Sequence, residues 1–268
     1  MSEHNYLEYA RINHQDTLTE AQREIAAGQL TPEAFFAIGF AWRILGLCDL
    51  LEEADTRRFA ACLAKSGQAR LALLRQREQG LACPPKTICT SKDIFFAASV
   101  AAGDLGTARN IAALAPAKHF EGIEYEDDFL FYHFLHRVLV APQDTEALLG
   151  LVKRWGVVLE GGASAYRDVC RELVSGDGPA FASAFDAFVR ERARALRDYA
   201  RSFTSNKELV ATEGKVFIEG LAVLRLAELR GLPTLPQYPL IPRLARLPSG
   251  IAPPPADAWT RPPDPSGA

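Results

Sequence analysis

A chain of 268 residues with 48% hydrophobic side chains can bury one large core or two modest ones, so it is expected to fold on its own. Its 30 basic and 33 acidic residues leave a formal charge of -3 and a pI near 6.0, which argues against a dedicated nucleic-acid grip, because binding phosphates needs a concentrated positive field. The opening MSEHNYLEYARINHQD lacks the apolar centre of a secretory signal, and five cysteines at irregular spacing do not form a disulfide framework. The expectation is a cytoplasmic protein with reduced thiols.

Taken in chain order, the first clear element is TPEAFFAIGFAWRILGLCDLL. Thr31 stands as N-cap, Pro32 at the first helical position, and Phe35, Phe36, Ile38, Phe40, Trp42 and Leu45 follow as an apolar helix. In CPPKTIC, five residues that include a diproline separate Cys83 from Cys89, which suits neither a zinc knuckle nor a redox pair. TSKDIFFAASVAAGDLGTARNIAALA predicts a helix capped around Thr90 or Ser91, a stop at Gly103, and a second helix capped by Asp104. The same phrasing returns in CRELVSGDGPAFASAFDAF, with a stop at Gly176, a cap at Asp177, and Pro179 in the first turn. In both places glycine supplies the left-handed stop, and aspartate caps the free N–H groups of the next helix while complementing its dipole. EGGASAYRD reads as an interhelical turn with Ser164 as cap, and Arg190, Arg194, Arg197 and Arg201 form a solvated basic face.

GKVFIEGLAVLRLAELRGL is nearly continuous in apolar residues yet carries Glu219, Arg225 and Glu228. At about 100° per residue it presents two apolar faces, as a helix packed between neighbours does. Lys215 with Glu219 and Arg225 with Glu228 have the spacing to neutralise each other along it. Three charges are incompatible with an uninterrupted apolar span of about 20 residues, so this is an interior helix rather than a membrane segment. Arg230, Gly231 and Pro233 mark its end.

No segment alternates as a strand does. The prediction is an all-α chain of about ten helices in antiparallel hairpins, forming a compact bundle or an irregular repeat-like array. Residues 1–247 make one domain, and 248–268 read as a flexible Pro-rich tail that cannot bury a core. Trp259 lies within that tail, either as a loose exposed aromatic or as an anchor for a partner.

For chemistry, the sharpest cluster is EGIEYEDDFLFYHFLHRVL. Glu121, Glu124, Glu126, Asp127 and Asp128 place five carboxylates in eight residues, with His133 and His136 following one turn apart. Three readings stand for this cluster: caps and first-turn acids of a helix, an acidic protein-binding surface, or a divalent-metal site. His133 lies too far along the helix from Asp127 for all these groups to reach one ion. DDFLF also resembles the aspartate-rich motif of class I terpenoid synthases, all-α enzymes that use magnesium. Their second motif is incomplete here: Asn206 is present, Val210 replaces the serine, and Glu213 falls one residue early. No nucleophile elbow, P-loop or H-E-x-x-H motif occurs. The expectation is therefore no catalytic set, no cofactor, no metal site, no direct nucleic-acid contact and no membrane contact, with the acidic cluster as the candidate partner-binding surface.

The end of the core, FIEGLAVLRLAELRGLPTLPQYPLIPRLA, resembles the C-terminal region of the immunity protein 49 family of bacterial polymorphic toxin systems. The matching positions are Gly220, Leu221, Leu224, Leu226, Ala227, Arg230, Gly231 and Leu232, followed by Tyr238, Pro239 and Pro242. The likeness spans roughly the second half of the chain, and the first half shares only its general character. It implies an all-α cytoplasmic immunity protein that binds and neutralises a cognate toxin protein, and it assigns no site residues. A helical-hairpin, TPR-like adaptor is the alternative, and a magnesium-dependent enzyme the third.

Overall fold

The structure, a computed structural model, describes residues 3–248 and 250–262. Among the described residues there are twelve α-helices, ten of them seven residues or longer, and no strand, as the all-α reading expects. Three long helices come first: α1 (Glu3–Ala26), α2 (Pro32–Glu53) and α3 (Thr56–Glu78). Arg11 of α1 meets Asp49 and Glu52 of α2, and Asp49 meets Cys62 of α3, so successive helices fold back antiparallel about their short connections. Thr31 accepts a hydrogen bond from the Ala34 N–H, and Pro32 begins α2, as expected. The next connection is tighter: Ala54 ends α2 in the left-handed region, and Asp55 caps α3 through the N–H groups of Arg57 and Arg58.

By length and composition α2 could cross a membrane, but in this fold most of it is buried against α1 and α3, with Arg43 in its interior. Close approach of these helices depends on small residues. A Cβ at Gly46 would lie 2.8 Å from the Cβ of Cys62, and one at Gly67 would overlap Ser99 Oγ of the neighbouring helix.

After α4 (Pro85–Ile88) and a 3₁₀ turn at Thr90–Lys92, helix α5 (Ile94–Ala102) lies along α3 and α12 (Ile218–Leu229). Seven further helices complete the chain before the tail: α6 (Leu105–Leu114), α7 (Glu126–Val140), α8 (Thr145–Val158), α9 (Ala165–Ser175), α10 (Gly178–Arg201), α11 (Lys207–Ala211) and α12. Both glycine–aspartate breaks form as expected. Gly103 and Gly176 adopt φ values of 83° and 77°, and Asp104 and Asp177 accept from the N–H groups of Thr107 and Ala180. Ser164 caps α9, and the α10 arginines 190, 194, 197 and 201 are exposed. One run of aromatic rings, Phe181, Phe185, Phe188 and Phe217, ties α10 to the start of α12.

Three sequence expectations are corrected. The helix expected to be capped near Thr90 or Ser91 starts later, after Asp93, whose carboxylate is drawn into the core instead of capping. Glu219 is not held by Lys215 along a helix. Helix α12 begins only at Ile218, and the Glu219 carboxylate points inward to Arg43 of α2.

The third correction concerns the expected flexible tail. Residues 250–262 pack as a strap across α1, α2 and α3, while 263–268 and Ser249 lie outside the described residues. Trp259 is buried, its ring 5.5 Å from that of Phe35. The Trp259 carbonyl accepts from Trp42 Nε1 at 3.0 Å and from Gln22 Nε2 at 2.9 Å, and the Pro254 carbonyl accepts from Gln68 Nε2. Such a segment cannot build a core of its own. It docks because one large aromatic fills a site left by three helices, and its prolines reduce the entropy lost on ordering. Truncating this anchor, Trp259→Ala, is expected to cost about 3 kcal/mol, the low end for a buried aromatic. Urea unfolding should show it, with faster trypsin cleavage after Arg246, the last cleavable basic residue ahead of the strap; an unchanged urea midpoint would refute the anchoring role.

Candidate partner-binding surface

The five carboxylates of the acidic cluster divide by role. Glu124 is a clamp rather than a free charge. Its Oε1 accepts from the Phe120 N–H at 3.0 Å, its Oε2 accepts from the Ser91 N–H at 2.8 Å, and its carbonyl oxygen lies 2.8 Å from His119 Nε2. The loop before α7 is thereby closed on itself and pinned to the turn at Thr90–Lys92. Gly122 supplies the bend, with φ at 73°. Glu126 opens α7 and pairs with Arg154 of α8 at 2.6 Å. None of the acids caps the helix: Tyr125 occupies the N-cap position without a side-chain bond, and Glu126, Asp127 and Asp128 lie in the first turn, where they complement the helix dipole.

Glu121, Asp127 and Asp128 remain as the outward charges. Partial enclosure first, and then the charges of Asp127 and Glu124, hold the Asp128 carboxyl above its ordinary value. Carboxylates crowded in this way disfavour one another's ionisation, and a cationic surface laid against them would relieve the repulsion. Among them stand two apolar side chains that sequence reasoning passed over, Ile123 at 50% exposure and Tyr125 at 79%. Both sit inside EGIEYEDD, but only the clamp by Glu124 shows that they are held outward on a fixed loop.

The two histidines part company. His133 stacks on Phe129 with ring centroids 5.1 Å apart, and burial, with nearby positive charges, pulls its pKa down to about 4. His136 turns into the core, where its Nε2 lies 3.2 Å from Asp93 Oδ2. Among the described residues, no three His, Cys, Asp or Glu side chains gather as a metal ion would need. The residues compared with the terpenoid synthase motifs also diverge. Asn206 caps α11, and Glu213 is bound to Arg43 rather than facing Asp127 and Asp128.

Two buried ionic groups take up most of the interior charge. Arg43, 2% exposed, donates from Nε to Glu213 and from Nη2 to Glu219, each at 2.7 Å, and from Nη1 to the Ile94 carbonyl. Tyr132 reaches the same Glu219 oxygen at 3.5 Å. Burial alone would raise the Glu219 carboxyl, but Arg43, assisted by Arg192, outweighs it and holds the group below its ordinary value. In the second group Arg70 Nη2 lies 2.6 Å from Asp93 Oδ1, and Arg70 also donates to the carbonyls of Thr87, Ile88 and Cys89. These groups bind α2 to α5, α7 and α12, and α3 to the segment before α5. The five cysteines are free thiols.

Compared with protein-family profiles, characterised proteins and solved structures, the chain matches none.

Proposed function

We propose that this chain is an immunity protein that binds a cognate toxin protein of a bacterial polymorphic toxin system in the cytoplasm and holds it inactive. The observation that carries the reading is the rigid loop before α7. Its outward Tyr125 and Ile123 stand among the carboxylates of Glu121, Asp127 and Asp128 and are held in place by Glu124. An exposed tyrosine on an ordered loop supplies contact area at little entropic cost, and surrounding charge of one sign speeds encounter with an oppositely charged partner. The partner surface that fits is basic, with an apolar recess for the tyrosine. Toxins that act on nucleic acid have such clefts, and acidic side chains can occupy them in place of phosphate. The resemblance of the segment around α12 to the immunity protein 49 family supports the same reading.

The test is co-expression with the neighbouring toxin gene in a sensitive host, followed by co-purification. Rescue and a stable complex are expected with the wild-type chain. Tyr125→Ala is expected to weaken the complex by about 2 kcal/mol, roughly 30-fold. Reversing Glu121, Asp127 and Asp128 to lysine should slow association most strongly at low salt. Full affinity in both variants would remove this loop from the interface, and loss of rescue with an active toxin would count against the immunity role itself.

A further inference from the structure

Beneath the C-terminal strap, and sharing no residue with the acidic loop, lies a groove of about 840 Å³. Small-molecule sites have volumes of about 300–1,000 Å³. Helices α1, α2 and α3 form its floor and sides, and the strap closes one wall. Leu45 and Ala61 supply apolar floor. Five Arg and Lys side chains line it against two carboxylates, Asp49 and Asp55, and that imbalance of charge points to a ligand class.

Most acceptors of the groove are already used, Asp55 Oδ2 and the Gln15 amide remaining open among the described residues. Asp49, buried in α2, takes Arg11 Nη1 at 2.7 Å and the Cys62 thiol at 3.7 Å, while Asp55 Oδ1 is occupied by the N–H groups of Arg57 and Arg58. The prolines of the strap bring no N–H, and the carbonyls of Pro254 and Pro255 are taken by Gln68 and by the Ala258 N–H. The donors are in surplus. Arg11 and Arg261 are matched by Glu52 and Asp257. Arg58 is held only loosely, at 3.6 Å from Asp49 and 3.4 Å from Glu53, and the exposed Arg57 side chain has no partner among the described residues. A guanidinium carries five N–H donors and no acceptor, so the unmatched positive charge at Arg57 and Arg58 favours an anionic group that accepts hydrogen bonds.

We infer that the groove binds a small organic anion with an apolar body. Its phosphate, sulfonate or carboxylate lies at Arg57 and Arg58, and its apolar part lies over Leu45 and Ala61. This site is independent of the toxin-binding reading.

The experiment uses the whole chain and two fluorescent probes of matched shape, the anion 1-anilinonaphthalene-8-sulfonate and its uncharged counterpart N-phenyl-1-naphthylamine. The anion is expected to bind saturably at one site and about tenfold or more tighter than the neutral probe, as one charged hydrogen-bonded contact provides. Arg57→Glu should weaken the anion by a similar factor and leave the neutral probe unchanged. That variant should fold normally, because Arg57 is exposed and an acid in the first turn of α3 suits the helix dipole. Ala61→Trp, which fills the floor, should abolish both. Equal binding of the two probes, no saturable binding of the anion, or an Arg57→Glu variant that binds it as the wild type does would each overturn the proposal.

Discussion

Arg43→Met is expected to destabilise the fold by about 3–5 kcal/mol, because it strands the carboxylates of Glu213 and Glu219 in the core. The methionine fills most of the volume, so the loss reports charge rather than cavity. Restoring neutrality should restore stability: adding Glu213→Gln and Glu219→Gln to Arg43→Met is expected to recover a large part of the loss in urea unfolding.

The pH dependence has a definite sign. In the wild type the folded pKa of Glu219 lies below its ordinary 4.5. Its contribution is therefore complete above that value and is lost as pH falls through the folded pKa. Without Arg43, burial is expected to outweigh the remaining pull of Arg192 and raise the group, so the folded variant takes up a proton more readily than the unfolded one and gains relative stability as pH falls. The gap between wild type and Arg43→Met should narrow between about pH 7 and about pH 4. A gap that stays constant or widens would mean that the carboxylate is not what the missing arginine leaves unbalanced.

Asp93→Ala should have a comparable effect, about 3–5 kcal/mol, for a different geometric reason. Asp93 is fully buried between Arg70 and His136, which come from α3 and α7. Removing its carboxylate leaves the Arg70 guanidinium in the interior with only backbone carbonyls as partners. The segment from Thr87 to Lys92 takes its place from those bonds, and Glu124 reaches the same segment through the Ser91 N–H. The variant should therefore lose stability in urea and also speed amide exchange at Ser91 and Phe120. Exchange at those two amides that follows only the global loss would show that the ionic group and the acidic loop are not coupled.

Much of the fold was legible along the chain because it depends on neighbours in sequence. Caps at Thr31, Asp104, Ser164 and Asp177, and left-handed stops at Gly103, Gly176 and Gly231, satisfy backbone groups within a few residues, so spacing alone locates them. The apolar character of the α12 segment likewise predicted that it would be buried, and its residues from Ile218 to Ala227 are.

The acidic cluster was legible only as a composition. Five nearby carboxylates look equivalent in a string, yet the structure makes Glu124 a clamp, Glu126 an interhelical pair, and Glu121, Asp127 and Asp128 an outward face. Composition does not distinguish them, since two of the deciding donors, Ser91 and Arg154, lie 33 and 28 positions from the carboxylates they hold. The tail misled for a related reason. Its composition shows that it cannot make a core, but whether it docks depends on the site that α1, α2 and α3 leave for Trp259.

By itself, then, the sequence determined that the chain is helical, where many of its helices start and stop, and which helix must be interior. These follow from short-range hydrogen bonding and from periodicity. Only the tertiary structure decided which charges meet. Glu219 lies four residues from Lys215 in the chain, but it pairs with Arg43, 176 positions away. Inside a low-dielectric core an unmatched charge is far costlier than on the surface, so the choice of partner belongs to the packing of helices distant in sequence.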